Sequence, residues 1–562
     1  MTMRKITQLT IPSTLLFALL ATPAAAFSLK PIGTYSSGIF DDAAAKHSAY
    51  DPTTQRLFVT NGSTNQIDVL SVSNPTTPSL LFNIDLNTFG GNVSNVAFNN
   101  GRFAVGVQNT NEQAPGSVLF FNTNGDLLNS ITVGALPDAL TFTPDGTKLL
   151  VANEGEPSGD YTIDPEGSVS IIDLNTWNVT TAGFNGVNLS GPVRIFGPNA
   201  SVAQDLEPEY ITVSEDSTKA WVTLQENNAI GILDLTNGVF TDVVGLGFKD
   251  YSLPGNGLDA SDRDNAINIA NYPNLFGMYQ PDEIAAYTVE GKTYLVTANE
   301  GDSRQYTYED ENGEEQVALD EEARVRNLIL DPTAFPNAAE LQRNPVLGRL
   351  EVTKTLGDTD GDGDYDKLFA FGGRSFSIWD ERGNLVFDSG DQFEQIIARL
   401  LPDYFNSNNT ENQSFDDRSD SKGPEPEGIT LAQLDGRAYA FIGLERVGGI
   451  MTYDITNPFK PSFVNYVNNR DFSVLFNVNE EGDPDPTLEQ LLAVGDLGPE
   501  GLLFISAKDS PSNKPLVVVN HEVSGTTTIY EVSVPEPSTA WSLLGLGLLG
   551  RLLIHRKSRT TV

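Results

Sequence analysis

The strongest constraint in this chain is a phrase that returns along it. Pro137-Asp138 opens an apolar run, a second run over 148–152 closes on Asn153-Glu154, and a third follows over 168–174. The same order recurs as Pro208-Glu209, Gln225-Glu226 and 230–235, and as Pro281-Asp282-Glu283 with Asn299-Glu300. It recurs again as Pro426-Glu427, Leu444-Glu445 and 450–455, and as Pro499-Glu500, His521-Glu522 and 528–532. Two earlier units, starting near Tyr50 and Val96, keep the rhythm without the acids. Short β-branched and aromatic runs punctuated by Gly, Asn, Asp and Pro read as strands and turns. Each unit is thus a meander of three strong strands and a weaker fourth.

Seven such units predict an all-β, seven-bladed β-propeller, because radial packing removes the open edges that one flat sheet of that size would expose. Residues 27–35 are placed to close the ring beside the last unit. The runs 368–371 and 376–379 read as completing the fifth blade after a partly helical insertion over about 302–365. Counted separately, they make an eighth blade. Helical periodicity is confined to 321–330, 338–343, 393–400 and 488–493.

Topology turns the repeat into a site. In a meander the start of the inner strand and the end of the second lie at one edge of the sheet, and around a propeller those edges face one mouth. Asp138, Glu154, Glu209, Glu226, Asp282, Glu283, Glu300, Glu427, Glu445, Glu500 and Glu522 are therefore expected together. Crowded carboxylates cannot all ionise uncompensated: some are protonated, or arginines pair with them, or divalent cations bind. The chain has no cysteine and 3 histidines, which excludes a disulfide framework and thiolate or multi-histidine metal sites. Oxygen donors alone point to Ca²⁺, with Mg²⁺ or Mn²⁺ next. Arg304, Arg374 and Arg446, in glycine-rich turns near the same rim, are candidates for steering an anionic group such as a phosphate. His521, beside Glu522, is a candidate for proton transfer. Structural salt bridges are the other use open to the arginines, and strand capping to the acids.

A second calcium signal is local. Asp358, Asp360, Asp362, Asp364 and Asp366 alternate around Gly363, matching the first nine positions of an EF-hand-like loop. Phe369 stands at the twelfth position, where a bidentate glutamate belongs. A loop of the dockerin or thrombospondin kind, with ligands from elsewhere, fits better.

Both ends read as addresses. Arg4 and Lys5, an apolar stretch over 11–20 and Ala24-Ala25-Ala26 form a signal peptide over 1–26 for signal peptidase. Pro535-Glu536-Pro537 is followed by an apolar run over 540–550 and by Arg551, Arg556, Lys557 and Arg559. That run is shorter than the roughly 20 residues of a spanning helix, so it implies transient membrane contact with a cytoplasmic positive flank. The formal charge is −41 from 34 basic and 75 acidic residues; the two ends carry +2 and +3, leaving 27–534 near −46. Such a surface excludes nucleic acid as a partner and repels other anions unless cations intervene.

The tail resembles the PEP-CTERM sorting signal of exopolysaccharide-producing bacteria, which an exosortase recognises and cleaves near the Pro-Glu-Pro triplet. Asn153-Glu154-Gly155-Glu156-Pro157, Pro281-Asp282-Glu283-Ile284, 298–304, Phe371-Gly372-Gly373-Arg374-Ser375 and Gly423-Pro424-Glu425-Pro426-Glu427-Gly428 together resemble the choice-of-anchor I family. That resemblance implies an exported, propeller-like domain at the cell surface or in the extracellular matrix of a Gram-negative-type bacterium. The family's activity is not established, and two activities stand as expectations, the first from the collar of acids and the second from the resemblance. One is a calcium-loaded binding module, with exopolysaccharide as a partner. The other is a metal-dependent phosphoesterase like alkaline phosphatase or the β-propeller phytases, acting on a phosphorylated small molecule. The cysteine that holds iron in some propeller phosphatases is absent from the chain.

Overall fold

The computed structural model describes residues 27–479 and 481–534, so the signal peptide and the sorting segment expected at the two ends lie outside the described residues. Ser28–Ser533 form one compact all-β unit. Seven antiparallel meanders follow one another over 48–85, 93–135, 137–183, 211–245, 284–388, 426–467 and 499–533. Their inner strands are Ser48–Asp51, Val93–Asn99, Pro137–Phe142, Ile211–Val213, Ile284–Val289, Pro426–Leu434 and Pro499–Ile505. Each inner strand lies against the inner strand of the next sheet, and the seventh lies against the first, so the sheets form a closed cycle. The N-terminal strand Ser28–Ser36 pairs antiparallel with Thr526–Ser533, joining the two ends of the unit in one sheet as 27–35 was expected to do.

Apolar side chains fill the spaces between neighbouring sheets. Phe58 and Phe103 stack at 4.1 Å between the first and second sheets. Trp221, Leu295 and Trp379 occupy the space between the fourth and fifth. Buried Trp379 keeps its indole N–H satisfied by Thr297 Oγ1 at 2.9 Å, as a buried aromatic with a polar handle requires.

The fifth meander is interrupted. Its second strand, Lys292–Asn299, pairs directly with Ser375–Asp380, and the chain leaves between them. Residues 368–370 do not complete that sheet, contrary to the sequence reading. Leu368–Ala370 instead runs parallel to Leu275–Met278 in a separate five-stranded sheet with Phe248–Asp250, Glu351–Thr353 and Glu322–Arg324. A short apolar run fits either sheet by pattern; here its alternate residues divide between two small cores, Leu368 and Ala370 facing one and Phe369 the other. Residues 321–330 are not a helix either. Glu322–Arg324 is a strand and Val325–Asn327 a single 3₁₀ turn, because backbone pairing with 351–353 overrides the local helical pattern. Helices form at Ala338–Leu341, Gln392–Leu400 and Leu488–Val494. Gln392–Leu400 buries Phe393, Ile396 and Ile397 against Phe376 and Tyr453.

The Pro-acid phrase has a backbone reason. In the third, sixth and seventh sheets Pro137, Pro426 and Pro499 pair with Asn153, Leu444 and His521, and the register then slips before Leu140, Ile429 and Leu502. The acid after each proline sits in that β-bulge, a device that re-aims a side chain. Inner strands approach closely there. A Cβ on Gly428 would meet the Glu500 carbonyl oxygen at 1.8 Å, whereas one on Gly183 would meet nothing within 4 Å. Gly428→Ala is therefore expected to destabilise by about 3 kcal/mol or more through backbone overpacking, and Gly183→Ala by no more than about 0.5 kcal/mol. Denaturant unfolding of the two variants checks this, and equal midpoints would contradict it.

Candidate metal centre

The residue before the proline is left-handed in four sheets: Leu136, Gln280 and Glu425 have φ of 47°, 43° and 48°, and Gly498 has 68°. Non-glycine residues enter this region rarely and stay only where surrounding structure holds them. What holds them is one recurring bond. Their carbonyls accept from the backbone N–H of Glu154 at 3.0 Å, Gly301 at 3.1 Å, Glu445 at 2.8 Å and Glu522 at 2.9 Å. In these four sheets the acid after the proline is thereby held near the acid at the end of the second strand.

Several of the expected acids lie close to one another. Asp138, Glu154, Glu209, Asp282, Glu300, Glu427 and Glu522 are half-buried, while Glu226, Glu445 and Glu500 are buried. Oxygens of Asp282, Glu300 and Glu427 approach within 4.8 Å of one another, as do those of Glu300, Glu425 and Glu445. Across the cycle, the buried His47 ring lies 6.5 Å from that of Tyr210, so side chains from opposite sheets meet near the axis.

Cations are few. Lys46 reaches Glu500 at 3.0 Å; Lys422 reaches Glu300 at 2.6 Å and Glu425 at 3.1 Å; Arg446 reaches Glu425 at 3.0 Å and Glu445 at 3.2 Å. Burial and neighbouring carboxylates push Glu154, Glu209, Asp282 and Glu427 well above the usual range. Burial lifts Asp138 to about 6 against the pull of Lys46, and burial with Glu500 lifts Glu522 to about 8. Two acids go the other way. Burial would raise Glu500, but Lys46 and His47 hold it down; Lys422, Arg446 and Arg418 outweigh burial at Glu425. One oxygen each of Glu226, Glu425, Glu427 and Glu500 is buried without a hydrogen-bond partner. Orphaned hard oxygens in a site without thiol donors fit a cation such as Ca²⁺.

Other expected residues lie elsewhere or are otherwise engaged. Glu283 accepts from the Ile429 N–H of the next sheet and from Tyr210, which makes it a clamp between sheets. Glu226 faces Arg304, Glu156 and Glu321. Arg304 takes the salt-bridge use left open for it. Buried, it binds Asp205 at 2.7 Å and Glu207 at 2.6 Å and donates to the Asp205 carbonyl at 3.0 Å. Arg374 is buried too, donating to Glu394 and the Asp259 carbonyl at 2.7 Å and to the Ser419 and Ser421 carbonyls at 2.8 and 2.6 Å. His521 is buried with its Nδ1 3.4 Å from the Thr526 carbonyl and 3.9 Å from Asp496, and burial lowers its pKa. Arg446 alone of the three arginines reaches the mouth.

The separate loop draws its acids into two groups. Asp358, Asp360 and Asp366 converge within 4.8 Å, and Asp364 and Asp366 converge with Asp331. Asp331 is brought in by the bridge between Leu330 and Tyr365. Asp362 joins neither group, and its carboxylate accepts from the Asp364 N–H at 3.1 Å.

Sequence reasoning missed Lys46, Lys422, Glu425, Glu156 and Asp302 as neighbours of the site. Glu425 carried a signal in the repeated Glu-Pro-Glu of 207–209 and 425–427, and Glu156 and Asp302 in the repeated Asn-Glu-Gly-acid of 153–156 and 299–302. The lysines come from segments outside the repeat.

A model of the choice-of-anchor I domain matches residues 46–458, and one of the PEP-CTERM protein-sorting motif matches 533–557. The chain belongs to the choice-of-anchor I family. The sorting motif marks this family member as an exported, surface-sorted protein of a Gram-negative-type bacterium, processed by an exosortase. Gigasin-3a of Magallana gigas is 31% identical over 199 residues, which are 34% of this chain and 66% of the relative. A mesenchyme-specific cell surface glycoprotein of Strongylocentrotus purpuratus is 30% identical over 282 residues, which are 46% of this chain and 36% of the relative. The chain thus spans about two thirds of the first relative and about a third of the second. Two solved structures are similar over most of the chain. Hydrazine synthase of Kuenenia stuttgartiensis shares 12% identity over 89% of this chain and 99% of its own, with a TM-score of 0.43. The β-propeller domain of Cps50 (Swd1) from Myceliophteria thermophila shares 7% over 90% and 100%, with a TM-score of 0.41.

Two predictions follow from these charges. Arg304→Ala leaves Asp205 and Glu207 buried without a counter-charge and is expected to destabilise by about 3–5 kcal/mol. Adding Glu207→Gln should recover part of that loss, as equilibrium unfolding would measure; a fully stable Arg304→Ala would contradict the assignment. An acid whose native pKa is raised binds its proton more tightly folded than unfolded. Stability from Asp138 and Glu522 is therefore present below the unfolded value of about 4 and lost as pH rises through about 6 and about 8. In EDTA the melting temperature is expected to fall from pH 5 to pH 8; a rise over that window would contradict it.

Proposed function

We propose that the cycle of sheets is a seven-bladed β-propeller whose acid-lined mouth binds a divalent cation, calcium foremost, in a surface-displayed binding module of the envelope or extracellular matrix. The observation that carries this reading is the convergence of Asp282, Glu300 and Glu427 within 4.8 Å. No lysine or arginine nitrogen lies within 4.0 Å of Asp282 or Glu427 among the described residues. Oxygens on one calcium ion, at about 2.4 Å from it, lie no more than about 4.8 Å apart. The ion supplies the positive charge that the mouth lacks, and it bridges carboxylates from the fifth and sixth sheets. Magnesium and manganese demand a stricter octahedron than an irregular ring of side chains offers. The exposed loop over 358–366, with Asp331, is a second candidate for calcium.

The phosphoesterase reading is less well supported. A phosphate clamp needs the terminal N–H groups of an arginine free for the substrate, and Arg304 and Arg374 have their Nη1 and Nη2 groups committed to buried partners, their Nε atoms being buried as well. A binding module matches the sorting to the surface, and one curated relative is itself a cell surface glycoprotein.

Calcium added to EDTA-treated protein is expected to raise the melting temperature, by the equivalent of about 2.7 kcal/mol at a hundredfold excess over Kd. Asp282→Asn with Glu427→Gln should abolish most of that rise while the loop residues stay intact. An unchanged calcium response in this double variant would remove the mouth as the site. Calcium-dependent hydrolysis of p-nitrophenyl phosphate that disappears in Glu300→Gln would replace the binding reading with the enzymatic one.

A further inference from the structure

The mouth contains two carboxylate triads that share Glu300: Asp282, Glu300 and Glu427, and Glu300, Glu425 and Glu445. We infer that the second triad is a cation position which the chain fills with its own Lys422 ammonium, flanked by Arg446, so that the mouth takes one divalent ion although its carboxylates outline places for two. This rests on the reading of the mouth as a cation site and specifies its occupancy.

Lys422 Nζ lies 2.6 Å from Glu300 Oε1, 3.1 Å from Glu425 Oε2 and 2.7 Å from the Gly301 carbonyl. The Glu300 and Gly301 oxygens accept ammonium protons, and Glu425 Oε2 is paired with the ammonium by charge. Arg446 stands on the other side, with Nε 3.0 Å from Glu425 Oε2 and Nη1 3.2 Å from Glu445 Oε1. Glu425 is fully buried, and its Oε2 accepts no hydrogen bond. That oxygen points between Lys422 and Arg446 and is held there by charge alone. The first triad differs in kind, since among the described residues only its Glu300 pairs with a lysine or arginine.

The ammonium is also held in place. Arg374 binds the carbonyls of Ser419 and Ser421 at 2.8 and 2.6 Å, and Arg418 binds Glu425 at 2.6 Å. A Cβ on Gly423 would lie 3.1 Å from Arg374 Cδ. The segment carrying Lys422 is thus strapped to the fifth sheet by the arginine that the sequence marked as an anion clamp. A fixed ammonium beside Glu300 repels a divalent ion from the second triad through a poorly screened site, while Asp282 and Glu427 remain open to one.

Calcium titration of the full chain by isothermal calorimetry tests this in wild type, Lys422→Met and Lys422→Arg. Lys422→Met is expected to bind about one equivalent more than wild type, and Glu425→Gln in the same background to remove the added equivalent. Lys422→Arg, which keeps the charge, is expected to keep the wild-type number. An unchanged stoichiometry in folded Lys422→Met overturns the inference. Anomalous scattering from terbium in wild-type crystals needs no variant: one peak at Asp282, Glu300 and Glu427 is expected, and a second peak at Glu425 and Glu445 overturns the inference. Absence of any peak at the mouth removes the cation reading itself, and this inference falls with it.

Discussion

A single backbone hydrogen bond, repeated, underlies the arrangement. The N–H at the end of a second strand donates to the carbonyl of a left-handed residue before proline, at Leu136, Gln280, Glu425 and Gly498. A bulge after the proline then turns the next side chain away from regular alternation. Neither device selects an ion. In the third, sixth and seventh sheets they together place two carboxylates at one edge, and the cycle of inner strands brings those edges together.

Charge compensation divides the mouth. Where Lys46, Lys422 and Arg446 reach in, Glu500 and Glu425 stay ionised. Burial and neighbouring carboxylates push Glu154, Glu209, Asp282 and Glu427 toward the protonated form, and they do the same to Glu445 although Arg446 is beside it. A buried carboxylate cluster of this kind holds protons or holds a cation, and both satisfy the same electrostatic demand. Arg304 and Arg374 illustrate the opposite use of charge. Their guanidinium groups tie loops from several sheets through carboxylates and carbonyls, as planar five-donor groups do well in buried settings.

Much of this was legible beforehand. The recurrent runs correspond to the meanders, and the Pro-acid and Asn-Glu pairs mark the bulge and the strand end that face the mouth. The Glu-Pro-Glu of 425–427 and the acids at 156 and 302 were legible too, had the repeat been read one or two residues further in each direction. The fate of 368–371 was not, because three apolar residues suit any sheet and only the neighbour at Leu275–Met278 claims them. Nor was the commitment of Arg304, since Asp205 and Glu207 lie about a hundred residues away in sequence.

The amino-acid sequence by itself determined the repeated strands, the surplus of acids, the oxygen-only donor chemistry and the sorting signal, because each is written in local pattern or composition. Tertiary structure alone decided which acids meet, which cations meet them, and which arginines are already engaged. Pairing of charges depends on distance in space, and Lys46 and Lys422 reach the acids from segments that share no repeat with them.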